Sequence, residues 1–260
     1  MGHTVGFYKY QGTGNDFIII DNRDFSFKAG KDTIMRLCDR RFGIGADGLM
    51  MLEKSKNSDF HMRYFNCDGN EATMCGNGGR CIAAFALKKG ITGKKVSFTG
   101  ADGKHFAFAE NSGTVHLEMN DVKGASRNGE AWILNTGSPH YVEFRENVEK
   151  IDLEVEGKKI RYSDTFKPDG INVNFAERKG DELFIRTYER GVEGETLSCG
   201  TGSVAAAIAS FLKSGGNTTL RINTRGGKLT VSFKAADKGC FTSINLSGPA
   251  VYVFSGTIEI

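Results

Sequence analysis

Two apolar runs stand out in the hydrophobic pattern of the chain. One is Ile82-Ala83-Ala84-Phe85-Ala86-Leu87, entered through Cys75-Gly76-Asn77-Gly78 and closed by Lys88-Lys89-Gly90. The other is Val204-Ala205-Ala206-Ala207-Ile208-Ala209, entered through Cys199-Gly200-Thr201-Gly202 and closed by Lys213-Ser214-Gly215. A Gly-rich turn leading into good helix formers is a helix start, and Lys followed by Gly is a helix stop. The pattern therefore predicts two helices, each with a cysteine just before its N-terminus. Both are apolar nearly all round, as in a helix wrapped by other elements or one that spans a membrane. At about 12 residues they are too short to span, which needs ~20. Each is expected at the centre of its own layer of strands.

Elsewhere the pattern alternates. Strands are predicted over 5–10 and 16–21 around a Gly-rich turn at 11–15, and over 59–66 with Phe60, Met62 and Tyr64 on one face. Ile34, Leu37, Cys38 and Arg41 recur at helical spacing over 32–41, with Asp32 as the candidate cap and Gly43 as the stop. After the first cysteine helix come strands over 95–99, 104–110 and 114–119, and residues 120–130 read as a linker. The second half repeats the order. Strands over 131–135 and 140–144 lead into a charged stretch with a short helix near 158–163; strands follow over 171–176 and 182–189. After the second cysteine helix the pattern gives strands over 219–224, 228–233 and 240–246, and a last strand over 250–254 left to pair back with the first half.

This repetition, with the two cysteines separated by nearly half the chain, points to an internal duplication. The expected division is an N-terminal half over 1–125, joined by 250–260, and a C-terminal half over 126–249. The expected class is α/β in its α+β form. It has two pseudo-symmetric domains, each a strand layer or barrel wrapped around a central helix.

Composition narrows this picture. The length of 260 residues is ample for one large domain or two smaller ones. A net charge of +3 with 25% charged residues gives no reason to expect nucleic acid or a membrane as partner. Glycine, at 34 residues, is well above the usual ~7%, and with only three prolines this implies many turns and close backbone approaches. The N-terminus shows no basic region before an apolar core, and no apolar run approaches ~18 residues. Six cysteines without a secretory signal suggest reduced thiols and a cytoplasmic protein. No Cys-x-x-Cys occurs, and the histidines at 3, 61, 105, 116 and 140 have no metal-ligand spacing, so no metal is expected. Cys38, Cys67, Cys81 and Cys240 read as small core residues, and His61, His105 and His116 as strand surface positions.

Cys75 and Cys199 are different. At a helix N-terminus, backbone N–H groups gather and the macrodipole favours negative charge. A thiol loses its proton most easily there, and a carboxylate binds there. Two such thiols are suited to taking up and giving back protons. The pair titrates as a coupled unit, which leaves open which thiol is charged at rest. The backbone N–H groups of Gly76-Asn77 and Gly200-Thr201 are natural donors to a carboxylate bound there.

A family resemblance now gathers these pieces. Lys9-Tyr-Gln-Gly-Thr-Gly-Asn15-Asp-Phe17, Arg40-Arg-Phe-Gly-Ile-Gly-Ala-Asp47-Gly48 and Tyr64-Phe-Asn66-Cys-Asp-Gly69 before Cys75-Gly-Asn-Gly are similar to diaminopimelate epimerase motifs. So are Gly137-Ser-Pro-His140, Asn172-Val and Tyr188-Glu-Arg-Gly191 before Cys199-Gly-Thr-Gly, in the family order. Each piece alone is weak; the combination is specific. The resemblance implies a site in the cleft between the two domains. It implies inversion at one α-carbon of LL-2,6-diaminopimelate to the meso isomer, independent of PLP and of any other cofactor. That reaction serves lysine and, in many bacteria, peptidoglycan precursor synthesis.

By the same resemblance Cys75 and Cys199 are the catalytic pair. Asn15, Asn66, Asn172, Glu189 and Arg190 hold the substrate amines and distal carboxylate, and His140 with Glu189 tunes the thiols. The expected partner is a small-molecule amino-acid substrate, with a homodimer as the candidate assembly. Two positions depart from many relatives: Gly48 stands where Gln is common, and Ser138 where Asn is common. The nearest rival is a proline or hydroxyproline racemase, disfavoured by Asn77 where His is expected and by the Glu189-Arg190 pair. Isomerases of the same plan without the cysteine pair are disfavoured by both cysteines being present. A rival of another class is a thiol redox or metal-binding protein.

Overall fold

The computed structural model describes residues 4–28, 30–73 and 75–260; His3, noted above, and Met74, which precedes the first cysteine, lie outside the described residues. The chain divides into two compact units, one of Met1–Leu117 with Pro249–Ile260, the other of Glu118–Gly248.

The first unit opens with β1 (Thr4–Gly12) and β2 (Asn15–Asp21), an antiparallel pair. Their turn puts Thr13 (φ 50) and Gly14 (φ 85) in the left-handed region that suits a tight hairpin. α1 (Lys31–Cys38) follows, then β3 (Gly48–Glu53) parallel to β2. β4 (Phe60–Asn66) is antiparallel to β3 and carries the two-residue β5 (Glu71–Ala72). α2 (Gly76–Lys88) leads to β6 (Lys95–Gly100), parallel to β4, and β7 (Gly103–Ala109) and β8 (Thr114–Met119) continue antiparallel.

α1 is shorter than the periodicity predicts. It starts at Lys31 behind Gly30, with no side-chain cap, so Asp32 lies in its first turn and not at the cap. It ends at Cys38 because the Asp39 carboxylate accepts the N–H groups of Arg41 and Phe42, both at 2.7 Å, and turns the chain away. Arg41 is therefore outside the helix. Ile34 and Leu37 bury against Ile18, Ile20, Leu49 and Met51, each contributing about 1.5–3 kcal/mol. β3 is not predicted at all, because Leu49-Met50-Met51-Leu52 is apolar without alternation. Leu49 and Met51 face α1, while Met50 lies with Phe17 against Gly78 of α2. A strand covered on both faces has no polar side to alternate with.

The second unit begins with β9 (Ala125–Asn128), antiparallel to β10 (Ala131–Asn135), which pairs antiparallel with β11 (Pro139–Phe144). The expected linker over 120–130 is thus partly a strand. Its residues are mostly polar and exposed, and beyond the backbone pairing the Arg127 guanidinium lies over the Trp132 ring across the ladder, 4.7 Å from its centroid. α3 (Leu153–Arg161) comes next, then β12 (Asn172–Lys179) parallel to β11 and β13 (Glu182–Glu189) antiparallel to β12, with the short β14 (Gly194–Thr196) on its far side. α4 (Gly200–Ser214) leads to β15 (Thr219–Thr224), parallel to β13, and then to β16 (Gly227–Ala235) and β17 (Phe241–Pro249). α3 starts earlier than the expected 158–163 because Asp152 caps it, accepting the Val155 N–H at 3.2 Å. β18 (Val251–Glu259) then returns to the first unit, antiparallel to β1.

The two units share one topology. The series β2, α1, β3, β4, β5, α2, β6, β7, β8 corresponds element for element to β11, α3, β12, β13, β14, α4, β15, β16, β17. The parallel pairs fall at the same two places in each. Each long helix is buried along most of its length: Cys81, Ile82, Ala83 and Ala86 in α2, and Val204 through Ala209 in α4, have no exposure. Among the described residues no helix is long and apolar enough to cross a membrane.

Candidate active site

Both cysteines are helix N-caps. Their backbones are extended, at φ −97, ψ 136 for Cys75 and φ −118, ψ 115 for Cys199. Their carbonyls accept the first helical bonds, from Gly79 at 2.8 Å and Ser203 at 2.9 Å. Neither thiol caps its own helix, and neither first turn holds an acidic residue. Each sulfur thus sits at the positive end of a helix dipole that no acidic side chain of the first turn offsets.

Around Cys75 the structure brings together Asn15, Asn77 and Asp47. The Asn15 amide donates to the Asp47 carboxylate at 2.6 Å, so its carbonyl faces the other way. That carbonyl accepts from the Asn77 amide at 3.2 Å and from the Cys75 thiol at 3.6 Å. Asn77 is buried, and its own carbonyl accepts from Arg80 at 2.9 Å. Arg80, one helical turn from Gly76, has no exposure; it donates to the Gly76 carbonyl at 3.2 Å and to Thr13 at 3.4 Å. Burial pulls its pKa down from the ordinary guanidinium value, a cost that these hydrogen bonds offset.

Around Cys199 the group is larger. The Cys199 sulfur lies 3.4 Å from the Thr201 hydroxyl, which lies 3.4 Å from Ser138 Oγ. Ser138 Oγ is 3.0 Å from His140 Nε2 and accepts from the Asn172 amide at 3.2 Å. The Asn172 carbonyl in turn accepts the Arg190 N–H at 2.8 Å. Behind them Asn174 donates to His140 Nδ1 at 3.0 Å and accepts from Thr187 at 2.9 Å. His140 has no exposure. Burial, and next the positive charge of Arg190, push its imidazole down to about 3, so it is neutral near pH 7.

The remaining expected residues are placed as follows. Asn66 ends β4, exposed and opposite Gly48 in the strand register. A side chain at Gly48 has no room: its Cβ would lie 2.6 Å from both the Tyr64 ring and the Phe65 carbonyl. Glu189 closes β13 half-buried, and the Arg190 side chain is exposed just beyond it. Two background expectations need correction. Cys67 is exposed in the turn after β4, not in the core. His105 is buried, not on the surface; it packs on Phe98 and is bonded to Asp102 at 3.0 Å. Burial pushes the Cys38 and Cys81 thiols up to about 12, which keeps both protonated. Among the described residues no group of three or more His, Cys, Asp or Glu is arranged to hold a metal ion.

Sequence reasoning missed Arg80, Asn174 and Thr187, which hold the others in place. Asn174 had a signal, since residues 172 and 174 share a strand face. Arg80 also had one, as the one charge in the first apolar helix ahead of its closing Lys88.

The sequence model of diaminopimelate epimerase matches this chain twice, over residues 7–134 and 132–253. The chain belongs to the diaminopimelate epimerase family. The double match agrees with the repeated topology. A diaminopimelate epimerase of Flavobacterium psychrophilum is 52% identical over 256 residues, covering 96% of this chain and 99% of the relative. One of Chlorobaculum tepidum is 44% identical over 260 residues, at 96% and 99% coverage. The fold has more distant neighbours. A PhzF-family phenazine biosynthesis protein of Bacillus anthracis superposes with a TM-score of 0.76 at 16% identity, covering 99% of this chain and 100% of the neighbour. A hydroxyproline epimerase of Agrobacterium vitis gives 0.68 at 14%, covering 99% and 93%. At such identities these two share the fold alone with this member of the epimerase family.

Proposed function

We propose that this protein inverts one α-carbon of LL-2,6-diaminopimelate to give the meso isomer, with Cys75 and Cys199 as the acid–base pair. The observation that carries the proposal is the identity of up to 52% with diaminopimelate epimerases along nearly the whole chain, both cysteines being N-caps of helices with no acidic residue in the first turn. One thiolate takes the α-proton from one face of the carbon. The electron pair left behind delocalises into the α-carboxylate, whose growing charge is met by the first-turn N–H groups of Gly76-Asn77 and Gly200-Thr201. The other thiol then gives its proton to the opposite face. The thiolate and thiol have exchanged places, and the reverse reaction starts from that state. General acid–base catalysis of this kind contributes about 10²–10⁴-fold.

At the far end of the substrate, Arg190 suits a carboxylate through its planar fork, and Glu189 suits an ammonium. Asn15, Asn66 and Asn172 supply amide contacts. Ser138 serves in place of the relatives' Asn, by positioning Asn172 and Thr201. The reaction belongs to lysine and peptidoglycan precursor synthesis, in a reducing cytoplasm that keeps the thiols reduced. The exposed Val251, Tyr252, Val253 and Phe254 of β18 support a homodimer, which sedimentation reads directly.

The test is incubation with LL-diaminopimelate and chiral analysis over time. The proposal expects approach to the same LL and meso mixture from either isomer. No interconversion from either side, with turnover of L-proline or L-hydroxyproline instead, overturns it.

A further inference from the structure

Two hydrogen-bond chains end on the two sulfurs, and they run in opposite directions. From this we infer that the unliganded protein rests with Cys199 as the thiolate and Cys75 as the thiol, and that Ser138 and Thr201 are the positioning residues that fix this choice. The inference deepens the proposal that these two thiols are the acid–base pair.

Each chain can be oriented from its fixed ends. In the second unit, the Asn174 amide nitrogen lies 2.9 Å from the Tyr141 carbonyl, which can only accept, and its oxygen accepts from the Thr187 hydroxyl. The nitrogen is thus placed correctly, and its other N–H goes to His140 Nδ1. A neutral imidazole that accepts at Nδ1 carries its proton at Nε2. His140 therefore donates to Ser138 Oγ. Asn172 is oriented in the same way, by the Pro139 carbonyl at 2.9 Å and the Arg190 N–H, and it too donates to Ser138 Oγ. Both lone pairs of Ser138 are then taken, so its hydroxyl proton points to Thr201 Oγ1. The Thr201 hydroxyl, having accepted, donates to the Cys199 sulfur. A sulfur that receives a hydroxyl donor is stabilised as the thiolate.

In the first unit the order is reversed. Arg80 fixes the Asn77 carbonyl and Asp47 fixes the Asn15 amide nitrogen, so the Asn15 carbonyl oxygen is what meets Cys75. A carbonyl cannot donate, so the contact at 3.6 Å is S–H to oxygen, and it holds Cys75 protonated. The charges near each sulfur matter as well. Arg80 favours a Cys75 thiolate from the same helix, but it directs N–H groups to Gly76, Asn77 and Thr13. The Asp47 and Asp16 carboxylates beyond Asn15 are balanced by Arg40 and Lys9, so that cluster favours neither state and the Asn15 carbonyl decides. On the Cys199 side the imidazole is neutral, and the positive charge that Arg190 sets near that imidazole stands next in sequence to the half-buried Glu189 carboxylate, so the donated hydroxyl is what favours the thiolate.

The test is the pH profile of iodoacetamide alkylation at each cysteine, read by peptide mass spectrometry at low modification. Access alone favours Cys75, since Cys199 is 5% exposed and Cys75 is half-buried. The inference expects the Cys199 profile to have the lower midpoint and Cys199 to be labelled first near pH 7. Thr201→Val removes a hydrogen bond to the charged sulfur and should raise the Cys199 midpoint by about one unit or more; Ser138→Ala should raise it less, and Thr201→Ser should restore it. A lower midpoint at Cys75, or a Cys199 profile unmoved by Thr201→Val while Thr201→Ser also changes nothing, overturns the inference. Epimerase activity is assayed separately. An active enzyme with Cys75 labelled first retains the function and loses the asymmetry.

Discussion

Gly78 and Gly202 occupy the same place in the two repeats, the third residue of a helix capped by cysteine, yet Gly→Ala should have opposite outcomes there. Intrinsic propensity alone makes alanine better by about 0.5–1 kcal/mol at either site. At Gly78 the nearest atom to an added Cβ is the Met50 sulfur at 3.2 Å, with the Phe17 ring at 3.6 Å. The methionine sulfur is the flexible part of an adaptable side chain, so it can give by a few tenths of an ångström. At Gly202 the Cβ would lie 2.4 Å from Asn174 Oδ1, with Cys199 Cβ and Thr187 Oγ1 at 3.3 Å. Asn174 cannot retreat cheaply: its amide is held by His140, Tyr141 and Thr187. Overpacking costs about 1–3 kcal/mol, and a disrupted hydrogen bond about 1 kcal/mol more. Net of propensity, Gly202→Ala should lose about 2 kcal/mol, and Gly78→Ala should stay within about 1 kcal/mol of the parent. Urea titration measures both. The single tryptophan, Trp132, lies in β10 of the second unit and reports Gly202→Ala by fluorescence; circular dichroism follows Gly78→Ala. Equal midpoints for the two variants, or a stabilised Gly202→Ala, would refute this account of the α4 tip.

Arg190→Lys turns a bidentate fork into a point contact, and the loss of a charge-assisted bond, about 1.5–3 kcal/mol, predicts a drop in kcat/KM of roughly tenfold or more; parent activity would remove Arg190 from the site. His140 makes stability depend on pH in a definite direction. Its folded pKa of about 3 lies below the unfolded value of about 6.5, so the unfolded chain binds the extra proton. Stability is then complete above about pH 6.5 and falls as the pH drops towards 3, by at most ~1.4 kcal/mol per unit from this group. His140→Gln should flatten that part of the profile in urea titrations at pH 7, 6 and 5; an unchanged slope counts against a buried neutral imidazole.

The sequence shows the two cysteine helices clearly, because both their starts and stops are written in residues of strong local preference. The strands with one polar face are legible for the same kind of reason. What escapes is set by tertiary surroundings. β3 hides because it is covered on both faces, and β9 because its mostly polar residues carry no apolar alternation. The start of α3 depends on one Asp152 hydrogen bond within a run of charges, and α1 ends early because Asp39 captures two N–H groups. At the site, the cysteines and the asparagines at 15, 77 and 172 can be picked out as candidates from their motifs. Of the groups that orient them, Asn174 and Arg80 leave only a faint signal and Thr187 none, since their roles arise from what the fold packs against them. Gly48 is similar: a departure in sequence becomes intelligible once the Tyr64 ring is seen in the space a side chain would need.

The central claim, inversion by two thiols acting on opposite faces, is tested most directly by isotope incorporation in D₂O. The donor thiol exchanges to S–D before substrate binds, so each inversion should place deuterium in the product. Unreacted substrate should keep its α-protium at early times. The measurement is the early deuterium content of both isomers, starting from LL- and from meso-diaminopimelate in turn. The account predicts deuterated product and undeuterated substrate in both directions, and no inversion by Cys75→Ala or Cys199→Ala. Substantial α-protium in the first product, or inversion that persists when either cysteine is replaced, would contradict it.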